Sequence, residues 1–229
     1  MSAINNPSAS ATQRNDVLRV GIFFGWDLLV ALLATTISTL RLKLALRILG
    51  CSYGSGLRAD GRAVLRVRHT EAITLGKNVI LRSRFMSNLA GMTGPTILHC
   101  IRSGRISIGN NTGCSGCVIS SRSSIKIGDN VNLGVNVRIY DHDFHAMDLA
   151  ARHNPVRDVE ECRTAPVLIG DDVFIGANTI ILKGVTIGDR SVVGAGSVVT
   201  LREIPPDSLV AGNPARIIRS LTTHEAASV

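Results

Sequence analysis

Six-residue spacing constrains this chain more than any other feature. Ile169, Ile175, Ile181, Ile187, Val193 and Val199 each stand six positions apart. Gly170, Gly176, Gly188 and Gly194 follow that column, and a second column two positions earlier (Val167, Val173, Thr179, Val185, Ser191, Ser197) holds small or β-branched residues. The register recurs at Ile127, Leu133 and Ile139, and in fragments at Leu75-Gly76 and Ile108-Gly109. Six residues turn an α-helix by about 600°, which scatters side chains over different faces, so the period excludes a helix. A meander of hairpins would show turn clusters roughly every 8–12 residues. A short extended segment plus a corner, repeated, fits the period. Gly and Asn tolerate the corner backbone, and stacked coils pair about 4.8 Å apart. The aliphatic columns then form a continuous interior without large rings. The composition agrees: 45% of residues are hydrophobic and only 3% aromatic.

The N-terminal fifth is different. Residues 1–16 are polar and unpatterned and are expected to be a disordered tail. Residues 17–50 form an apolar segment with good helix formers in its second half. A membrane span needs about 20 apolar residues, and residues 20–40 have that length but contain Asp27. The reading favoured here is a helix lying on a membrane surface or packed on the protein, with Arg41, Lys43 and Arg47 as a basic flank for anionic lipid. Residues 51–221 form the repeat domain, interrupted by a loop over 141–166, and 222–229 form a tail.

The net charge of +8 invites a nucleic-acid reading. Basic residues concentrate between Arg41 and Arg84, however, with no recognition helix and no aromatic stacking face, so phosphate groups or a membrane surface are the expected partners and nucleic acid is not. Five cysteines, an odd number at irregular spacing, do not make a disulfide framework. Cys114 and Cys117 form a Cys-x-x-Cys, but Cys114 falls where the repeat requires a small inward residue.

The repeat breaks at residues 140–148, YDHDFHAMD, which place two histidines, three acids and two aromatics in nine residues. Histidine is the side chain best matched to proton transfer near neutral pH. A neighbouring carboxylate can fix its tautomer, and Asp141 and Asp143 are the nearest in sequence.

These repeats resemble the hexapeptide-repeat acyltransferases, whose unit is [LIV]-G-x-x-x-x. The segment 169–219 is similar to the maltose/galactoside/xenobiotic O-acetyltransferase branch, with G-V-T-I-G-D-R-S-V-V-G-A-G-S-V-V-T followed by A-G-N-P-A-R-I-I-R. The resemblance implies an all-β, left-handed parallel β-helix preceded by the N-terminal apolar helix, assembled as a homotrimer. It implies acetyl transfer from acetyl-CoA, with no metal, to a hydroxyl of a sugar, of the kind found in surface-polysaccharide precursors. FHAMDLAAR matches the branch's loop, putting His145 at its base position and Asp148 and Arg152 on the acceptor side, with His142 beside them. Phe174, Gly176, Ala177, Ala195, Thr200, Arg216 and Arg219 fall on its cofactor-binding positions. Gly116 and Arg122 replace the residues that hold a galactoside, and the insertion 150–165 is expected to cap the acceptor cleft. Acetyl-CoA is cytosolic, which implies a cytoplasmic enzyme, with the basic helix at the inner face of the membrane. Alternatives within reach are acetylation of an antibiotic or of an amine on a nucleotide sugar, and a zinc protein like the γ-carbonic anhydrases using His142, His145 and His153.

Overall fold

The computed structural model describes residues 11–221; the first ten residues of the expected leading tail, the side chains of residues 11–24, 26 and 27 (Asp27 among them) and the tail at 222–229 lie outside the described residues. After one long helix the chain winds through three parallel sheets in strict rotation. The first sheet stacks Ser52–Tyr53, Ile73–Leu75, Arg105–Ile108, Ser124–Ile127, Val167–Ile169, Thr186–Ile187 and Glu203–Ile204. The second contains Arg58–Asp60, Ile80–Arg82, Gly113–Ser115, Asn132–Val135, Phe174–Ile175, Val192–Val193 and Ser208–Gly212. The third contains Val64–Arg66, Ile97–Cys100, Val118–Ser121, Arg138–Tyr140, Ile180–Ile181 and Val198–Val199. Each strand pairs with the strands three positions before and after it, so the result is a three-sided prism of stacked coils.

The register turns the six-residue period into columns. In the first sheet Leu75, Ile108, Ile127, Ile169, Ile187 and Ile204 lie in line. Leu81, Cys114, Leu133, Ile175, Val193 and Val210 do so in the second. Leu65, Leu98, Ile119, Ile139, Ile181 and Val199 do so in the third. All but Leu65 are buried. Burial of such a side chain is worth roughly 1.5–3 kcal/mol, and each coil contributes three. Cys114 occupies an inward slot and, with Cys117, is free and buried. Thr179, Ser191 and Ser197 are buried too, and their hydroxyls donate to the carbonyls of Gly194, Pro205 and Gly194 respectively.

The corner between the first and second sheets requires left-handed backbone. Asn78, Asn111, Asn130, Asp172, Arg190 and Asp207 occupy it with φ between 54° and 57°. Asn tolerates that region better than most residues. Its side chain also builds a ladder, Asn78 donating to Asn111, Asn111 to Asn130 and Asn130 to Asp172.

The protein is not all-β. Helix α1, Ala11–Ile48, begins inside the stretch expected to be tail. Its last turns close the open end of the prism: Leu42 and Leu46 enter the core, and Thr39 Oγ1 accepts from Ala59 N at 2.9 Å. Residues 28–34 before them are apolar all round, with Leu28, Leu29, Val30, Leu32 and Leu33 exposed. A helix lying on a surface presents one apolar stripe instead. Leu28–Ile48 is long and apolar enough to cross a membrane, and within it only Leu42 and Leu46 are buried. Two short helices, α2 (Leu149–Arg152) and α3 (Pro155–Glu160), sit in the loop that interrupts the prism.

Candidate active site

That loop leaves the third sheet after Tyr140 and re-enters the first at Val167, so it emerges at the edge between those two sheets. Its neck is clamped by Asp141. The carboxylate is fully buried and accepts from Ser121 Oγ (2.7 Å), Arg122 N (2.7 Å) and Ser123 N (2.9 Å). Its backbone carbonyl accepts from Ala165 N and Thr164 Oγ1 on the returning strand. Asp143 pairs with Lys183 at 2.6 Å. Asp141 and Asp143, expected to orient His145, therefore hold the loop to the prism.

His142 is buried. Its Nε2 lies 3.1 Å from Ser120 Oγ and its Nδ1 2.8 Å from the carbonyl of Asp143. Its ring packs edge-on to Phe144 at 4.7 Å, and Phe144 packs on Tyr140 at 5.1 Å. These contacts account for the two aromatics of the motif: they wall the base of the loop.

His145 is the contrast. Its side chain is 71% exposed, and its Nδ1 sits 2.7 Å from Asp158 Oδ2. The second carboxylate oxygen of Asp158 accepts from Ala146 N at 2.8 Å. The hydrogen bond from His145 and then that from Ala146 N–H hold the Asp158 carboxyl below its ordinary range. An ionised carboxylate only accepts, so Nδ1 carries the proton and Nε2 presents a lone pair outward. The partner of His145 is thus Asp158, thirteen residues downstream, and not the adjacent Asp141 or Asp143. A signal exists: Asn154-Pro155 starts a helix, as the Asn154 side chain caps α3 and Pro155 occupies its first turn. Asp158 lies within the first turn of that helix.

Asp148 and Arg152 also build the loop. Asp148 caps α2 by accepting from Ala151 N at 2.8 Å, and Arg152 Nη1 donates to the carbonyls of Ala146 (3.2 Å) and Met147 (3.0 Å). Arg122, at a position where galactoside-binding members hold sugar, donates from Nη2 to the carbonyl of Val159 and braces α3.

The expected cofactor residues lie elsewhere on the prism. Phe174 is 48% exposed on the outer face of the second sheet. It lies in one cross-strand row with Val192, Leu209 and Arg219. Arg219 lies on the final strand, Ala215–Ser220, which runs antiparallel to Ser208–Gly212. Gly176, Ala177 and Ala195 stand at the edge between the second and third sheets. A Cβ on Gly176 would come 2.4 Å from Ala195 N, so successive corners there touch backbone to backbone. Arg216 pairs with Ala211 at the same edge and its Nη1 donates to the carbonyl of Ala215 at 2.9 Å. Thr200, by contrast, follows the third sheet and lies at the loop's own edge. Within one chain His145 and the Ala177–Ala195 corner therefore occupy different edges. Among the described residues no group of three His, Cys, Asp or Glu side chains gathers as a metal ligand set; His142 and His145 are turned to Ser120 and Asp158.

Residues 166–200 match a family described as hexapeptide repeat of succinyl-transferase. The chain is 39% identical over 102 residues to galactoside O-acetyltransferase of Escherichia coli, an overlap of 44% of this chain and 47% of that protein. It thus spans about half the length of the curated relatives it matches. Among solved structures, a hexapeptide-repeat containing acetyltransferase of Vibrio cholerae is 31% identical, over 80% of this chain and 81% of that one, with a TM-score of 0.51. AntD, an N-acyltransferase from Bacillus cereus solved with dTDP and 3-hydroxybutyryl-CoA, shares the fold at a TM-score of 0.61 and 20% identity, over 80% and 90% of the two chains. The columns of aliphatic side chains, the parallel three-sided prism and these likenesses together show that the chain belongs to the hexapeptide-repeat acetyltransferases.

Proposed function

We propose that the protein transfers an acetyl group from acetyl-CoA to a hydroxyl of a sugar, with His145 as the general base. The observation that carries this reading is the His145–Asp158 pair: an exposed imidazole whose inner nitrogen is tied to a carboxylate and whose outer nitrogen faces solvent. A sugar hydroxyl is a weak nucleophile, and Nε2 takes its proton as the oxygen attacks the thioester carbonyl. The tetrahedral intermediate collapses with loss of the coenzyme A thiolate, which Nε2–H then protonates. The thioester is already activated, so the chain need supply no covalent intermediate. Backbone N–H groups of the glycine corners are suited to the developing oxyanion. Phe174 and the Ala177–Ala195 corner offer a surface for the pantetheine arm, and the guanidinium groups of Arg216 and Arg219 suit phosphate oxygens.

The separation of His145 from that corner supports assembly of the site between copies, in a left-handed prism arranged as a threefold trimer. Apolar side chains mark both edges concerned: Phe85, Met86 and Leu89 are exposed on the loop joining the second and third sheets, Phe144 and Met147 on the catalytic loop. One edge of each copy against the other edge of the next is a head-to-tail contact that closes on itself. A cytosolic donor supports a reaction in the cytoplasm, with α1 associated with the inner face of the membrane. The test is release of coenzyme A thiol with a panel of small glycosides and amino sugars. Turnover on a glycoside that lacks any amine, lost in His145→Ala, supports the reading; turnover on amines alone would replace it with N-acetylation.

A further inference from the structure

We infer that the groove between α1 and the first coil is a seat for the phosphate headgroup of an anionic membrane lipid. The groove is a cavity of about 390 Å³, separated in the fold from the catalytic loop by the coils of the second and third rounds. Ile37, Leu42 and Ala45 of α1, with Leu49 just past its end, form one wall, and Ala63 with Val64 and Leu65 of the third sheet form the other. Three arginines also line it: Arg41 from the helix and Arg62 and Arg66 from the first coil. None of the three has a carboxylate within ion-pair distance among the described residues.

Arginines and aliphatic side chains thus share the lining of one cleft. Arginine recognises phosphate through paired N–H donors, and its guanidinium is weakly hydrated enough to sit beside apolar surface. The wall chemistry selects a phosphate carried on a hydrocarbon over a free one. Two wider features point to a membrane as its source. The exposed apolar turns of α1, from Leu28 on, run straight into the groove at Ile37 and Ser38. The charge is also polarised along the prism. Residues 41–84 hold ten Lys and Arg against Asp60 and Glu71, an excess of eight, which equals the net charge of the whole chain. All the net charge thus gathers at the helix-capped end, and the long remainder of the coils is balanced. Anionic leaflets attract such a cluster, and a bilayer that accommodates the apolar turns of α1 brings its headgroups to the arginines. The inference does not depend on the acetyltransferase reading.

The experiment is a titration of the full chain, purified in a mild uncharged detergent, with dioctanoyl phosphatidic acid, dioctanoyl phosphatidylcholine and inorganic phosphate. Binding of the phosphatidic acid, weak binding of the choline lipid and none of phosphate is the expected pattern. Arg62→Gln with Arg66→Gln should weaken the phosphatidic acid by about thirtyfold, from roughly fivefold per arginine lost near a headgroup. Arg105→Gln with Lys126→Gln, an equal charge change on the first sheet, should leave it within twofold. Arg62 and Arg66 are exposed, so the double variant should melt like the parent. Equal affinity for the two lipids would show an apolar surface without a phosphate seat. Tight binding of phosphate alone would assign the arginines to a soluble anion. Unchanged affinity in the double variant, or a groove closed by a second copy and binding no lipid, would overturn the inference.

Discussion

Asp158→Asn changes one atom and should remove most of the activity, because of what it does to the tautomer of His145. In the native loop Oδ2 accepts from His145 Nδ1 and Oδ1 accepts from Ala146 N–H. An asparagine keeps one acceptor and gains an NH₂. If its oxygen stays on Ala146 N–H, the amide donates to Nδ1, which then requires the proton on Nε2, and the outward nitrogen is no longer a base. If the amide flips, two donors meet at Ala146 and the loop loses a bond of about 1 kcal/mol. The first arrangement is preferred. Loss of a general base lowers turnover by roughly 10²–10⁴-fold. The exposed setting of this imidazole lets the native tautomer persist as a minority, so a fall of about 10²–10³-fold in kcat is expected, with the KM for acetyl-CoA within twofold. The assay is coenzyme A release with whichever glycoside the parent accepts. Nitrogen-15 correlation spectra of labelled histidines read the tautomer directly and need no acceptor. A variant that keeps kcat within threefold, or a His145 Nε2 that carries its proton in the parent, would refute the reasoning.

Other outcomes follow from the same geometry. Leu46→Ala removes a fully buried side chain that α1 places in the core and should lower stability by about 2–5 kcal/mol, read as a melting shift of roughly 5–15 °C. Gly128→Ala would put a Cβ 2.6 Å from the Gly170 carbonyl and 2.3 Å from Asp171 Oδ1, so it should destabilise strongly, whereas Gly113→Ala meets nothing within 4 Å and should melt within about 2 °C of the parent. The carboxyls of Asp129, Asp158 and Asp207 are held low by Asn110, His145 and Arg190 respectively. Folded values below the unfolded value of about 3.9 mean stabilisation that is complete above pH ~5 and is lost as pH falls through the folded values; the melting temperature should hold from pH 7 to about 5 and drop below 4, less steeply in Asp129→Asn.

The prism was legible because its period is local: an inward aliphatic every sixth residue and an Asn or Gly at the corner specify each coil without reference to distant contacts, and Cys114 fell in its slot for that reason. The loop was legible as a break in the period, and the structure exposes His145 on it beside Asp158. Its internal pairing was not. Asp141 and Asp143 are close to His145 in sequence, yet the loop must first be anchored to the prism. The nearest acids perform that task through Ser121, the backbone of Arg122 and Ser123, and Lys183. The carboxylate on His145 then comes from α3, after the chain has turned back, and only the Asn154-Pro155 cap signals that turn. Asp148 and Arg152, expected on the acceptor side, serve in the fold as a helix cap and a carbonyl brace, roles that in sequence look like polar groups awaiting a ligand. The start of α1 at Ala11 reflects polar residues that propagate a helix already nucleated by its apolar stretch.

Calorimetric titration of the purified full chain with acetyl-CoA tests the central claim most directly, since it requires no acceptor. The account predicts saturable binding near one per chain, weakened about tenfold in Arg216→Ala, through lost phosphate contact, and unchanged in His145→Ala, which moves protons during the reaction and holds neither the pantetheine arm nor the phosphates. A folded protein that binds no acetyl-CoA, or binds it equally well without Arg216, would contradict it.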